Sequence, residues 1–299
     1  MTPTSAELEA MAEALEASGE YRVLRRLAPR ASLAQPQIAS DVRKGLFVDV
    51  ETTGLDPARD EIIELAMVPF TYGLNGEVLE VGEAFEAMRE PSEPVSPQIT
   101  ALTGITNDML KGRAIDADIV RRFAAPAALV IAHNAAFDRR FLERYCDVFT
   151  TKAWACSMAQ VDWAAEGHEG ARLGHLAAGA GFFYDRHRAR NDCLAGVELL
   201  ARPLASSGRP ALAQLLEAAR RATWRIWAEG SPFELKDVLK ARGYRWSSEG
   251  SGAPKAWYVD VEESAREAEL AFLQREIYQR EVDLLMRRID AYDRFSDRV

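Results

Sequence analysis

Apolar positions change their period along the chain, and the changes mark out its elements. Within residues 4–17, Leu8, Met11, Ala12 and Leu15 recur on one helical face; Thr4 with Glu7 has the form of a capping box, and Gly19 is a stop. The spacing of Val23, Leu24 and Leu27 predicts a second short helix over residues 21–27. Residues 28–45 carry Pro29 and Pro36 among mixed polar positions and read as a linker or an arm. From Leu46 the pattern becomes that of strands, at 46–51, 61–70 (EIIELAMVPF) and 78–84, with 56–60 joining the first two. Residues 127–132 form an apolar run without alternation, as in a central strand covered on both faces. It feeds a helix over 135–146, with Asn134 at the N-cap. A further strand at 154–156 precedes helices near 157–165, 173–180 and 188–200. Strands first, then strand–helix alternation, predict an α/β architecture with a mixed sheet flanked by helices.

After Pro203 a helix at 210–221 leads into a second unit, whose first segment, 223–228, alternates large and charged residues. Ser231, Pro232 and Glu234 combine an N-cap, a proline at the first helical position and a capping-box acid; Gly243 ends that helix. Strands at 244–247 and 256–261 flank a Gly/Ser/Pro turn at 249–254, and a long terminal helix is expected over 262–294. The expected organisation is a helical segment and linker (1–44), an α/β domain (45–203), a linker helix (204–222) and a small α+β domain (223–299).

A length of 299 residues suits two domains, and a 48% apolar fraction suffices for a sizeable core. Cys146, Cys156 and Cys193 form no paired framework and no metal-ligand spacing, so buried thiols in a reducing compartment are expected. The N-terminus lacks a basic segment before an apolar run, and no stretch approaches the roughly 20 apolar residues of a membrane span. The expectation is a soluble, cytoplasmic protein. A net charge of −9 argues at first against nucleic acid, but between residues 225 and 255 six basic residues face four acidic ones.

Three acidic motifs carry the chemistry. In FVDVETTGL (47–55), Asp49 and Glu51 lie two apart on a strand, so they share a face roughly 7 Å apart along the chain. Two such carboxylates repel unless a cation or proton intervenes, and hard oxygen ligands suit Mg²⁺ or Mn²⁺. In AHNAAFDRRFL (132–142), Asn134 sits at a strand–helix junction and Asp138 about one turn later. In HRARNDC (187–193), His187 precedes a helix that contains Asp192. Each motif alone is commonplace: a solvated strand end, an acid favouring a helix start, a surface His and Asp. Their order, each at a strand end or on a flanking helix, is far more specific.

That set resembles the DEDD exonucleases, and His five residues before the last Asp resembles the DEDDh, DnaQ-like or epsilon-type, branch. The tyrosine branch has Tyr four residues before that Asp, where this chain has Arg188. IIELAMV (62–68) and ITALTGITNDML (99–110) match supporting stretches, so the resemblance spans about 45–203; Arg190 and Cys193 are minor departures. It implies a ribonuclease H-like fold and two Mg²⁺ or Mn²⁺ ions. Asp49 would border both, Glu51 and Asp192 complete one site, and Asp138 hold the other; His187 would be general base. It also implies that Thr52, Leu55, Leu102, Asn134 and Phe137 cradle a terminal nucleotide. The expected activity is metal-dependent 3′→5′ removal of nucleoside 5′-monophosphates from DNA 3′ ends, with single strands favoured over duplexes. An exoribonuclease on the same scaffold and a non-enzymatic nucleic-acid or polymerase-associated adaptor are the alternatives. Five intact catalytic positions speak against the latter, and no clamp-binding peptide supports a polymerase partner.

FELKDVLKARGYRW (233–246) and KAWYVDV (255–261) resemble the C-terminal module of exonuclease X-like proteins. Trp224, Trp227, Tyr244, Trp246, Trp257 and Tyr258 interleave there with Arg and Lys, either to stack bases beside phosphate-tracking cations or to build a small core. His168 and His175 belong to no HExxH. The absence of a P-loop, a Gly-rich dinucleotide fingerprint, a Gly-x-Ser-x-Gly elbow and paired Glu-x-x-His helices removes NTPase, dehydrogenase, serine hydrolase and di-iron readings.

Overall fold

A computed structural model describes residues 3–28, 30, 41–247 and 254–299. In chain order its elements are α1 (Ser5–Ala17), β1 (Arg25–Arg26), β2 (Val42–Thr52), β3 (Ile62–Gly73), β4 (Val78–Val81), β5 (Phe85–Met88), α2 (Pro97–Thr103), α3 (Asn107–Leu110), α4 (Ala117–Ala124), β6 (Leu129–Ala132) and α5 (Ala135–Tyr145). There follow β7 (Trp154–Cys156), α6 (Leu173–Gly179), β8 (Phe182–Phe183), α7 (Ala189–Ala201), α8 (Ala211–Arg220), β9 (Thr223–Ala228), α9 (Lys236–Ala241), β10 (Arg245–Trp246), β11 (Trp257–Glu262), α10 (Arg266–Phe272) and β12 (Met286–Ile289).

The main sheet runs β4-β3-β2-β6-β7, with β5 pairing β3; β2, β6 and β7 are parallel, the other pairs antiparallel. Both faces are covered, and the period of two decides which residue goes where. Phe47, Ala66, Val68 and Ile131 join Val197, Leu200 and Leu215 on the α7–α8 side. Leu46, Val48, Val50, Leu65, Met67 and Val130 join Val120, Phe141 and Leu142 on the α4–α5 side. This is the mixed, helix-flanked sheet expected. Among the described residues, no helix is long and apolar enough to cross a membrane.

Several local expectations are corrected. Residues 21–27 are not helical: Arg25 and Arg26 pair in parallel with Phe182 and Phe183, and Arg25 is held by Glu9 and Glu16 of α1. The capping box of Thr4 and Glu7 does form, yet Leu8, Met11 and Leu15 are exposed and only Ala12 is buried. Residues 157–165 form successive turns, because the Ser157 carbonyl is taken by the Trp163 indole and Cys156 N–H by the Gln160 side chain. At α9 the Ser231–Glu234 box is absent; Pro232 instead leads into a 3₁₀ turn. The long terminal helix is broken: α10 passes into a π turn ending at Gln279 in the left-handed region (φ 53°), and β12 then pairs with the open edge of β9. Tertiary pairing there overrides helical propensity. The expected linker at 28–45 and turn at 249–254 fall largely outside the described residues.

The second sheet is antiparallel, in the order β10-β11-β9-β12, over a core of Ile226, Leu239, Tyr244, Leu273 and Ile277. Residues beyond β12 return to the main sheet. Ala291 O accepts Trp154 N–H at 2.7 Å, and the fully buried Arg139 donates to the carbonyls of Ala291, Tyr292 and Arg294 and to Glu143.

Candidate active site

Phe47, Asp49 and Glu51 alternate onto the α7 face of β2. Helix α7 approaches that face through Gly196, where a Cβ would lie 2.1 Å from the Phe47 ring. Asp192 is one turn back from Gly196, as Asp49 is two residues on from Phe47, so this close contact sets Asp192 over Asp49. One carboxylate oxygen from each of Asp49, Glu51 and Asp192 lies within 4.8 Å of the others. Asp138 enters from the other flanking layer. The β2–β6 ladder ends at Phe47–Ile131, and beyond it Asp138 Oδ1 accepts the Val50 N–H at 3.2 Å. All four predicted acids thus converge at the carboxyl end of β2.

Their environment opposes simultaneous ionisation. Burial, then the charges of Asp138, Asp192, Glu51 and Glu64, holds the Asp49 carboxyl well above the ordinary range. Burial, reinforced by Asp192 and Glu64, pushes Glu51 up to about 8. Burial raises Asp138 to about 7 against the pull of the Val50 N–H, and raises Asp192 against hydrogen bonds from Tyr184 and the Arg188 backbone. Such a cluster stays charged near neutrality only with compensating cations. Oxygen-only donors that remain partly exposed fit Mg²⁺ or Mn²⁺.

Sequence reasoning missed three residues here. Glu64, opposite Glu51 in the β2–β3 register, is fully buried and accepts from Arg188 Nε (3.1 Å), Arg188 Nη2 (2.8 Å) and Ala189 N (2.9 Å). It therefore satisfies a free N–H at the start of α7. The signal was the second acid of EIIELAMVPF, set between apolar residues. Arg188, noted only as not being tyrosine, is the partner that neutralises it. Tyr184 donates to Asp192 Oδ1 at 2.8 Å. His187 is exposed and adopts a left-handed conformation (φ 61°), uncommon for a residue other than glycine. That turn directs the chain into α7 while the next N–H, of Arg188, binds Asp192 Oδ2 at 3.2 Å.

Of the expected nucleotide-side residues, Thr52 is buried and donates to the Gly54 carbonyl, whereas Leu55 (84%) and Leu102 (55%) are exposed apolar side chains. Asn134 occupies the N-cap of α5 without the expected side-chain cap bond, and Phe137 packs on Phe141 at 4.9 Å. His133 is a junction residue: its Nε2–H donates to Ala171 O at 2.6 Å and Nδ1 accepts from Ser157, and burial lowers its pKa to about 4. The three cysteines are free and buried, as expected.

A central strand ending in carboxylates drawn from β2, α5 and α7 defines a nuclease of ribonuclease H-like fold. Residues 46–200, just over half the chain, match the RNase_T family model, described as exonuclease; the chain belongs to this family of DEDD 3′→5′ exonucleases. It is 45% identical over 96 residues to the PolC-type DNA polymerase III of Halalkalibacterium halodurans, which covers 31% of this chain and 6% of that protein. The corresponding Bacillus subtilis polymerase is 44% identical over the same length and shares. That of Caldanaerobacter subterraneus is 34% identical over 148 residues, 46% of this chain and 10% of its own. The chain thus spans a small fraction of these relatives. E. coli Exonuclease I, solved with a 5cy-dA13 oligonucleotide, shares the fold over 74% of this chain and 63% of its own, at 16% identity and a TM-score of 0.50.

Proposed function

We propose that the chain removes nucleotides from the 3′ end of single-stranded DNA, releasing nucleoside 5′-monophosphates. The observation that supports this best is the meeting of Asp49, Glu51 and Asp192 within 4.8 Å, with Asp138 closing the other side. Asp49, Glu51 and Asp192 would hold one Mg²⁺ or Mn²⁺, and Asp49 with Asp138 a second. When bound, two such ions stabilise the attacking and leaving oxygens of an in-line displacement and acidify water. His187, exposed at the mouth of α7, takes the proton from the attacking water, and Tyr184 and the Arg188 N–H hold Asp192 in its ligating orientation. Thr52, Leu55, Leu102, Asn134 and Phe137 form the proposed nucleotide-side wall.

Degradation of 5′-labelled DNA and RNA oligonucleotides, matched in sequence, tests the reading. Expected is a ladder of shortened DNA with Mg²⁺ or Mn²⁺ and none with chelator, with RNA degraded more slowly. Metal-independent cleavage would overturn the site assignment; preference for RNA would replace DNA by RNA as substrate.

A further inference from the structure

The aromatic residues in and around the second sheet differ in burial. Trp227 and Tyr244 are buried, and Tyr244 donates to Glu269 at 2.8 Å. Tyr258 lies between the guanidinium groups of Arg225 (4.5 Å) and Arg245 (5.0 Å), both bound to Asp260. These residues pack. Phe233 and Trp246 stay outside that core: they are 74% and 54% exposed.

Two lysines and the half-buried Trp257 join these two exposed rings into a stripe. Lys236 Nζ stands 3.9 Å from the centre of the Phe233 ring, and Lys240 follows one turn later on α9. Lys240 Nζ stands 5.7 Å from the Trp257 ring, which meets Trp246 edge-to-face at 5.5 Å. The order from the start of α9 to the edge strand β10 is therefore Phe, Lys, Lys, Trp, Trp. Apolar closure of the unit is already provided by Ile226, Leu239, Tyr244, Leu273 and Ile277. Rings left in water beside ammonium groups fit a polyanion whose bases can stack. A duplex hides its base faces; a single strand offers them.

We infer that this stripe is a second contact for single-stranded nucleic acid, separate from the carboxylates, which holds the strand while its 3′ end is processed. The inference rests on the proposed single-stranded substrate. It is tested with the full chain by fluorescence anisotropy of 5′-fluorescein-dT20 in chelator, where no turnover interferes. Phe233→Ala and Trp246→Ala should each weaken binding by about 10-fold. Lys236→Ala and Lys240→Ala should each lower the slope of log K against log salt by about 0.7. Phe233→Trp, which keeps a stacking face, should bind like the unmodified protein. Hydrolysis of the p-nitrophenyl ester of thymidine 5′-monophosphate, too small to reach the stripe, should be unchanged in all variants. Affinities within twofold and unaltered salt slopes would overturn the inference, as would equal losses for blunt duplex DNA. Failure of the unmodified protein to cleave the ester with Mg²⁺ or Mn²⁺ would instead count against the proposed function, and the anisotropy would still decide for or against the stripe.

Discussion

Glu51→Gln probes the electrostatics of the carboxylate cluster without touching a substrate. Burial beside Asp192 and Glu64 moves the Glu51 carboxyl from 4.5 to about 8. Without metal, the folded protein therefore holds a proton between pH 4.5 and 8 that the unfolded chain has released. Stability from this group is fully present below pH 4.5 and is lost as pH rises through 8. At 1.36 kcal/mol per pH unit the ceiling is about 5 kcal/mol; a half-buried carboxyl that keeps part of its hydration brings this to about 2–3 kcal/mol. For a chain of this size that corresponds to a fall in Tm of about 4–10 °C between pH 5 and pH 8.5. The raised carboxyls of Asp49, Asp138 and Asp192 act with the same sign. Thermal melts in chelator across this range, for the unmodified protein and for Glu51→Gln, measure the effect. The glutamine variant should gain Tm relative to the unmodified protein as pH rises, and Mn²⁺ at pH 8 should lift it less. A Tm difference between the two that is flat with pH would contradict this electrostatic account.

Other expectations concern neighbouring groups. Asp49→Ala or Asp192→Ala should lower turnover by several orders of magnitude with an unchanged circular-dichroism spectrum, and His187→Ala by about 10²–10⁴ in kcat. Arg188→Met leaves the buried Glu64 carboxylate without its cation and should cost about 3–5 kcal/mol in urea unfolding, much of it recovered by adding Glu64→Gln. Gly196→Ala drives a methyl into the Phe47 ring and should cost about 1–3 kcal/mol while weakening Mn²⁺ affinity, read by titration calorimetry.

The acids were legible because they sit in local patterns. Alternation placed Asp49 and Glu51 together, and a strand–helix junction placed Asp138 near them. What surrounds them was not legible. Glu64 and Arg188 are 124 residues apart, and only the β2–β3 register and the entry of α7 bring them together. Tyr184 reaches Asp192 because the chain turns at His187 through a backbone conformation no propensity scale favours. The errors share a cause. Residues 21–27 and 286–289 are helix-compatible stretches that complete sheet edges, β8 and β9, whose need for partners is a property of the assembled fold. Likewise, the six interleaved aromatics could be sorted into core and surface only once burial was known.

Asp138 and Arg139 are consecutive residues of α5, and they look in different directions. One closes the acid pocket; the other grasps three carbonyls of the strand-to-tail segment after β12. Severing the polypeptide between its two sheets would thus take contacts from the core of the first unit. It would leave the buried Arg139, beside Trp154, with Glu143 as partner but without its carbonyl acceptors, at a penalty of about 1–3 kcal/mol for each donor left unsatisfied, on the very helix that carries Asp138. Grip and cut, if separated by evolution or by design, would have to be separated by point substitution rather than by scissors.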